Sequence, residues 1–361
     1  MSYSEAQPVR ISSEPAQLQA LEPVLEKVRA AVGDVPTLLT LAEDIGRTAP
    51  KPGEGNTAKL WELLASVTAV DVAAGRVLEP HLDALAILAQ AGVPAGVENE
   101  PQGTWGVFAA EGPGMKLEAK RSADGGYVLN GSKPWCSLAA QLDGAVITAH
   151  TEDNTRAAFA LDLKHQGVTA ETPVWTSRGL KEIPSGTVHF DQVEAWPVNQ
   201  GSWYFKRPGF AWGGMGVAAC WLGGVVAVAR DYEKTLTKAA ANGREPDQIA
   251  LASLGEIDRI LATTTGYLAQ TAERIDAGDL EGSDPDGPSP WPEALRVRGT
   301  VAAAVERVQT LVTQNLGPGP LAFDEAYGKR MADLSLYIRQ HHAMRDDAQL
   351  GALALKGDRS W

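Results

Sequence analysis

The stretch YVLNGSKPWCSLAAQLDGAVITAH, residues 127–150, decides the fold. Short runs of β-branched and aromatic residues alternate here with turn residues, a pattern typical of strands. Trp135, Cys136 and Ser137 follow a G-x-K turn after a single proline. This order places a flat ring and a short hydroxyl at the end of a strand, which is unusual for a strand that serves only as core.

The same alternation extends from about residue 96 to residue 200 and predicts a small antiparallel β-domain. Glycine supplies the positive φ of a tight hairpin turn, so residues 124–126 (Asp-Gly-Gly) predict a hairpin. The predicted strands cover residues 105–110, 117–121, 127–129, 145–150, 157–163, 168–171 and 187–193.

Helical periodicity flanks the β-domain on both sides. Between residues 16 and 92, apolar residues recur three and four apart and predict about four helices, with breaks at residues 33–34, 50–52 and 79–80. After Gly201, helices are predicted over residues 208–239, 246–277, 291–316 and 324–354. The order of elements predicts an α+β fold with three domains: an N-terminal helical domain (1–95), a small antiparallel β-domain (96–202) and a C-terminal four-helix bundle (203–361).

Composition excludes several classes of function. The chain has 32 Lys and Arg against 45 Asp and Glu, a net charge of −13, which disfavours nucleic acid and anionic membranes as partners. No apolar run reaches the roughly 20 residues of a bilayer span, and the N-terminus lacks an apolar leader segment. Two cysteines cannot build a disulfide framework, so we expect a cytoplasmic protein.

Common catalytic motifs are absent or misplaced. Gly214-x-Gly216-x-x-Ala219 spells a dinucleotide fingerprint, but it lies inside an apolar helical pattern without a convincing strand before it. We therefore predict close helix packing there and no Rossmann domain. Cys136 and Cys220 stand alone, so no metal site is predicted. A G-x-S-x-G elbow and a Walker A loop are both missing from the sequence.

Three runs together resemble the β-domain of the acyl-CoA dehydrogenase family. They are YVLNGSKPWCS, GAVITAH and SRGLKEIPSGTVHFDQVEAWP, at residues 127–137, 144–150 and 177–197. G-x-K-x-W followed two residues later by Ser or Thr is one marker of that family, and G-L…T-V-x-F-x-x-V is a second. The order of domains matches over nearly the whole chain. The resemblance implies the family's fold and an FAD cofactor.

The resemblance also implies where the flavin lies. Trp135 would face the flavin ring, and Ser137, after Cys136, would offer its hydroxyl or N–H near flavin N5. Ala110 stands at the family's T-E-P strand end. Gln314 and Gly317 match the Q-x-F-G-G-x-G-F segment, which approaches the FAD pyrophosphate in that family.

The chain departs from the family pattern at several positions. Ala110 replaces the usual threonine, and Met115 and Lys116 replace a Ser-Asp pair associated with acyl-CoA. No R-x-x-F-G follows residues 231–240. His341 stands four residues after Tyr337, where the family has its catalytic glutamate.

His341 is therefore the candidate catalytic base. Within the predicted helix 324–354, Leu334, Tyr337 and His341 share the face turned toward the bundle. His342 is rotated by about 100° to a more solvated side.

Three functions fit these observations. The first is FAD-dependent α,β-dehydrogenation of an acyl thioester carried by CoA or a carrier protein, with an electron-transfer flavoprotein as a possible partner. The second is a flavin-dependent monooxygenase on the same fold, in which the histidine handles protons. The third is an inactive scaffold subunit. The apolar C-terminal helices and the resemblance both predict a homodimer or homotetramer.

Overall fold

The computed structural model of the protein describes residues 6–92, 102–122, 126–153, 155–172, 174–282, 289–359 and 361. Helices precede and follow a seven-stranded sheet, so the α+β prediction is confirmed. The division into domains at residues 95–96 and 202–203 stays a prediction, because the first boundary lies outside the described residues.

The N-terminal part contains five helices. They are α1 (Pro15–Gln19), α2 (Glu22–Ala30), α3 (Val35–Gly46), α4 (Thr57–Val70) and α5 (Val72–Ala91). Asp71 separates α4 from α5 in an extended conformation, and its carboxylate accepts a hydrogen bond from the Ala74 amide at 2.9 Å. This arrangement is an N-cap, which satisfies an amide that the helix itself leaves free.

The predicted helix break at residues 79–80 is wrong, because Pro80 lies inside α5. A proline within a helix removes one backbone hydrogen bond. Most residues of α5 are buried against neighbouring elements, and this packing offsets the loss.

The sheet contains β1 (Trp105–Phe108), β2 (Leu117–Arg121), β3 (Tyr127–Ser137), β4 (Gly144–His150), β5 (Arg156–Asp162), β6 (Val168–Ala170) and β7 (Ser185–Pro197). The strand order is β1-β4-β2-β3-β7-β5, with β6 paired to β7 and β4 also paired to β5. Five of the seven pairings are antiparallel, whereas β1 and β2 run parallel to β4. The sheet is therefore mixed and not purely antiparallel as predicted, since β4 pairs in parallel with both β1 and β2. Other elements separate β1 and β2 from β4 along the chain, so the chain can return and run in the same direction.

All seven predicted strands are present, although β3 and β7 are longer than predicted. The hairpin between β2 and β3 is confirmed by the pairing of Arg121 with Tyr127. Two of the predicted turn residues, Asp124 and Gly125, lie outside the described residues.

The C-terminal part is helical. It contains α6 (Trp203–Lys206), α7 (Pro208–Ala241), α8 (Gln248–Asp276), α9 (Pro290–Leu316), α10 (Pro318–Phe323), α11 (Glu325–Tyr337) and α12 (Met344–Leu355), with a 3₁₀ turn (Ile338–Gln340) after α11. The predicted continuous helix over residues 324–354 is wrong, because the chain leaves the helix between α11 and α12. Ala343 adopts a left-handed φ of 51° there.

Helix α7 forms the centre of this bundle. It is long and apolar enough to cross a membrane by length and composition, but 78% of its most apolar window is buried inside the fold. Gly214 lies inside α7, and the element before this helix is the short helix α6 and not a strand. The prediction against a Rossmann domain is therefore confirmed. The predicted close helix packing is wrong at Gly214 and Gly216, where an added Cβ atom would meet neighbouring side chains only at ordinary distances of 3.6–3.8 Å. The close approach lies further along α7 at Gly223, where a Cβ atom would lie 2.0 Å from the Ala65 carbonyl oxygen on α4.

A partly buried lysine joins the three parts of the chain. The Lys329 ammonium on α11 lies 2.7 Å from Asp71, 2.9 Å from Glu182 in the segment between β6 and β7, and 2.6 Å from Asp333. These carboxylates are close enough to one another to hold a metal ion, and the ammonium occupies that position. Burial alone would lower the pKa of Lys329, but the carboxylates Asp71 and Asp333 raise it above its ordinary value. The lysine therefore stays charged.

We expect Lys329→Met to lower the free energy of unfolding by about 3–5 kcal/mol, because it leaves buried carboxylates without their cation. Denaturant unfolding followed by circular dichroism measures this change. Lys59→Met is the matched control, since Lys59 is exposed on α4. Equal stability of the two variants would contradict the role assigned to Lys329.

Candidate functional site

Trp135 lies in an irregular part of β3. The pairing of β3 with β7 shifts register between Lys133 and Cys136, and Pro134 has no N–H to donate to the ladder. Trp135 itself has a left-handed φ of 60°. Such bulges change the direction of a side chain. As a result the indole is 62% exposed, whereas Lys133 and Cys136 are buried.

Ser137 follows at the end of the same strand and is half-buried. Its Oγ lies 2.6 Å from Ser185 Oγ on β7. Arg76 of α5 donates a hydrogen bond to the same oxygen at 3.3 Å. Ser137 therefore connects the end of β3 to the N-terminal helices.

Cys136 points in the opposite direction to Trp135. Its thiol is buried, and burial raises its pKa to about 12. The thiol therefore stays protonated at neutral pH, and only the backbone of Cys136 is suited to contact a cofactor.

Ala110 follows β1 and is exposed. Its surroundings are charged, because Glu111 pairs with His150 at 2.7 Å and with Arg156 at 3.3 Å. Arg156 also donates to the carbonyl of Ala109. Ionic contacts of Glu111 and Arg156 therefore hold the segment after β1 in place. Ala110, in the same segment, stands where the family has a threonine.

A stripe of charged side chains runs along α5. Arg76, Glu79 and Asp83 are spaced three and four residues apart, so they share one helix face. Arg76 Nη1 lies 3.7 Å from Glu79 Oε2. The Tyr337 hydroxyl on α11 donates to the same carboxylate oxygen at 3.4 Å.

The environment of Glu79 changes its acidity. Burial raises its pKa to about 7, and the nearby Arg76 guanidinium opposes this only in part. Burial also raises the pKa of Asp83, against the influence of Arg207. Glu79 can therefore accept and release a proton near neutral pH.

Two aromatic side chains and a second arginine complete this region. The Arg298 guanidinium on α9 lies 4.9 Å from the centre of the Trp221 ring on α7, and Trp221 meets Tyr337 edge-on at 6.3 Å. Arg298 donates to the carbonyls of Gly214 at 3.0 Å and Gln340 at 2.6 Å. Trp221 Nε1 is buried and has no hydrogen-bond partner within the described part of the chain. We call the group formed by Arg76, Glu79, Trp221, Arg298 and Tyr337 the polar cluster.

His341 lies outside any helix, in the extended segment between the 3₁₀ turn and α12. The reasoning from helical faces therefore does not apply to it. Its side chain is nevertheless buried, at 8% exposure, whereas that of His342 is 67% exposed. Asp346 of α12 accepts from the His342 amide at 3.0 Å, which stabilises the start of that helix.

The surroundings of His341 favour its neutral form. Burial lowers its pKa, and Asp346, whose Oδ2 lies 3.7 Å from Nε2, opposes this effect. Nε2 has no hydrogen-bond partner among the residues that the structure describes. Arg298 links the two regions, because it donates to the carbonyl of Gln340, the residue before His341.

Gln314 and Gly317 lie in a different region. Gln314 is exposed near the end of α9, and Gly317 ends that helix with a φ of 66°. The neighbouring Asn315 donates to Ser253 near the start of α8 at 2.9 Å. Trp135 and Ser137, by contrast, adjoin α5. The structure therefore does not bring the two parts of the predicted flavin site together within one copy of the chain.

Sequence reasoning missed Arg76, Glu79, Trp221 and Arg298. The predicted helix break at residues 79–80 divides α5 into two segments, so Arg76, Glu79 and Asp83 do not stand out as one stripe on a single helix. A usable signal was present, since three charged residues at helical spacing interrupt an otherwise apolar run over residues 72–91. A mostly buried helix rarely carries such a stripe without partners.

Comparisons with known proteins agree with this architecture. Residues 110–193 match the family model described as acyl-CoA dehydrogenase, middle domain. A dibenzothiophene monooxygenase from Rhodococcus erythropolis is 33% identical over 88 residues, which is 23% of this chain and 21% of that protein. The alignment thus spans about a fifth of the curated relative.

Solved structures share the fold over almost the whole chain. TdsC from Paenibacillus sp. A11-2, in complex with FMN and indole, has a TM-score of 0.76 at 16% identity and covers 95% of this chain and 98% of its own. A glutaryl-coenzyme A dehydrogenase in complex with glutaryl-CoA has a TM-score of 0.77 at 14% identity. The match covers 97% of this chain and 98% of that dehydrogenase chain. Residues 110–193 therefore match the middle domain of the acyl-CoA dehydrogenase family, and the chain around them has the fold of these solved structures.

Proposed function

We propose that the protein is a flavin-dependent monooxygenase on the acyl-CoA dehydrogenase fold. In this reaction one atom of O₂ enters an organic substrate and the other becomes water, and reduced flavin supplies two electrons. A separate flavin reductase or a nicotinamide donor would renew the reduced flavin. The flavin, when bound, supplies the redox chemistry, and the chain supplies binding, orientation and proton handling.

The residue at position 341 carries this proposal. The family resemblance puts the dehydrogenase carboxylate there, and the chain has a buried histidine instead. Its Nε2 atom is free to hold or pass a proton, since the structure gives it no hydrogen-bond partner among the described residues. A neutral imidazole suits the proton transfers of oxygenation. The local similarity to a dibenzothiophene monooxygenase and the overall likeness to TdsC support the same function.

The end of β3 fits a flavin. The Trp135 indole projects from the bulge with most of its surface exposed, so a flat ring can stack on it. Ser137 places a hydroxyl two residues further on, beside Arg76. These groups suit the isoalloxazine portion that FMN and FAD share.

Gln314 and Gly317 would meet the same flavin only from a second copy of the chain. The resemblance implies a homodimer or homotetramer in which this segment approaches the pyrophosphate of FAD. We include such a homo-oligomer in the proposal, with FMN as the minimal cofactor and FAD as the larger alternative.

Dehydrogenation of an acyl thioester is the second candidate. It requires a base that removes a proton from Cα while hydride leaves Cβ. Glu79 favours this candidate as a carboxylate base near the proposed flavin. Arg76 contacts both Glu79 and Ser137, so only one side chain separates the carboxylate from the end of β3. An electron-transfer flavoprotein would then accept the electrons.

Trp135→Ala should weaken FMN binding by about tenfold or more, because stacking on the indole is lost. Titration of the protein with FMN, followed by flavin fluorescence, measures the dissociation constant. Trp361→Ala is the matched control, since Trp361 is 89% exposed at the C-terminal end of the chain. Unchanged affinity in Trp135→Ala would rule out the proposed flavin position.

Substrate turnover distinguishes the two candidate reactions. With reduced FMN and O₂, we expect an oxygenated product from indole or dibenzothiophene, whereas octanoyl-CoA should not bleach the bound flavin without O₂. His341→Ala should reduce oxygenation by about 10²–10⁴-fold, the usual effect of losing a general acid or base. His342→Ala, one residue away and exposed, should keep its rate. Bleaching by octanoyl-CoA together with no oxygenated product would favour dehydrogenation instead.

A further inference from the structure

A hydroxyl, an imidazole and a carboxylate form a hydrogen-bonded chain on one face of the sheet. Ser132 Oγ on β3 lies 2.8 Å from His189 Nδ1 on β7. His189 Nε2 lies 2.6 Å from Oε1 of Glu171, the residue that follows β6. We call these three residues the surface triad. It is separate from the residues of the proposed flavin position and from the polar cluster.

The register of the sheet brings Ser132 and His189 together. The two residues are directly opposite each other in the pairing of β3 with β7. Their neighbours Lys133 and Val188 are buried. Successive side chains of a strand point to opposite faces, so Ser132 and His189 point to the outer face of the sheet. Cross-strand neighbours of this kind are close enough to interact directly.

Backbone hydrogen bonds hold the two ends of the surface triad in place. The Ser132 amide donates to the Lys116 carbonyl at 3.0 Å. The Glu171 amide donates to the Thr187 carbonyl at 2.9 Å, which continues the pairing of β6 with β7 by one residue. Both ends therefore belong to the hydrogen-bonded ladder of the sheet and keep their position relative to His189.

The order of these contacts is the one that activates a hydroxyl. The hydrogen bond with His189 holds the pKa of Glu171 below its ordinary value, so the carboxylate is ionised at neutral pH. A carboxylate only accepts hydrogen bonds, which favours the imidazole tautomer with its proton on Nε2. Nδ1 is then free to accept the proton of the Ser132 hydroxyl.

This arrangement has the logic of a serine hydrolase triad. There, a base contacts the nucleophile and a third group orients the base. Such triads are recognised by geometry and roles and not by sequence position, so the missing G-x-S-x-G elbow does not argue against one here. The two ring nitrogens of His189 are used in the opposite order, and each of them is able to take up a proton.

The surface triad is accessible to a substrate. The side chains of His189 and Glu171 are 46% and 52% exposed. Glu171 also lines an open cleft of about 330 Å³, together with Leu138, Ala139 and Val188. These walls are apolar, so the cleft offers a place for the acyl or aryl part of a small ester.

A lysine beside the nucleophile supplies a positive charge. Leu117 pairs with Gly131, so Lys116 and Ser132 are the next neighbours across β2 and β3. The Lys116 ammonium is exposed and lies 2.9 Å from Glu118. A flexible cation at this position can approach a carbonyl oxygen that becomes negative during attack by Ser132.

We infer that the surface triad hydrolyses small carboxylic esters, with Ser132 as the nucleophile, His189 as the base and Glu171 as the residue that orients the base. Ser132 Oγ bonds to the ester carbonyl carbon while its proton moves to His189 Nδ1. The bond from that carbon to the leaving oxygen then breaks, and the leaving alcohol takes the proton. Water attacks the acyl-serine in the same way and releases a carboxylic acid. The reaction involves no oxidant or reductant, so it is independent of the proposed oxygenation.

Two measurements on the full-length protein test this inference. Hydrolysis of p-nitrophenyl acetate is followed by the release of p-nitrophenolate, and a fluorophosphonate probe marks the nucleophile, which peptide mass spectrometry locates. We expect the probe on Ser132. Ser132→Ala should remove the label, and Ser132→Ala and His189→Ala should each lower hydrolysis by about 10²-fold, the lower end of the usual effect of losing a general base. Glu171→Gln should lower it less, because the imidazole remains.

His150→Ala serves as the comparison variant. His150 Nε2 also lies 2.7 Å from a glutamate, Glu111, but its Nδ1 has no hydrogen-bond partner in the described part of the chain. This variant should keep both the label and the rate of hydrolysis, and circular dichroism should show that all variants are folded. Absence of the label from Ser132, or unchanged hydrolysis in Ser132→Ala, would overturn the inference.

Discussion

The ion cluster around Lys329 is the constraint on which the rest of the structure depends. One ammonium is shared by carboxylates from the start of α5, from the segment before β7 and from α11 itself. Three charged groups of one sign would repel one another in a buried place, so the lysine is required for these segments to meet. Asp333 also accepts from the Leu180 amide at 2.5 Å, which fixes the sheet segment against the bundle. The functional groups lie within a few helical turns of this contact.

The position of the site follows from that junction. Asp71 starts α5, and Arg76 and Glu79 follow on the next turns of the same helix. Lys329 and Asp333 lie on α11, and Tyr337 follows Asp333 by one turn. The same two helices therefore supply both the structural ion cluster and the polar cluster. The bulge at Trp135 adds an exposed ring beside them, and a cofactor stacked there would lie next to ionisable groups of the chain.

The sequence predicted the parts of the fold that depend on local patterns. Alternation of apolar residues located all seven strands, and helical periodicity located α7, α8 and α9 closely. It failed where tertiary contacts override local preference. Pro80 stays helical because α5 is packed along most of its length, and the chain breaks at Ala343 without a proline or glycine. The polar cluster unites α5, α7, α9 and α11, and no spacing along the chain shows that these helices meet. The family resemblance predicts Trp135 and Ser137 as site residues, and this stays a prediction, whereas Glu79 becomes visible only through its contacts in the fold.

Hydrogen–deuterium exchange with and without FMN tests the central claim, that a flavin lies against the end of β3 next to the polar cluster. Amides protected by a bound ligand exchange more slowly. We expect slower exchange in peptides that contain Trp135–Ser137 and in the part of α5 that contains Arg76 and Glu79. Protection confined to the end of α9, or none at the end of β3 under saturating FMN, would contradict the account.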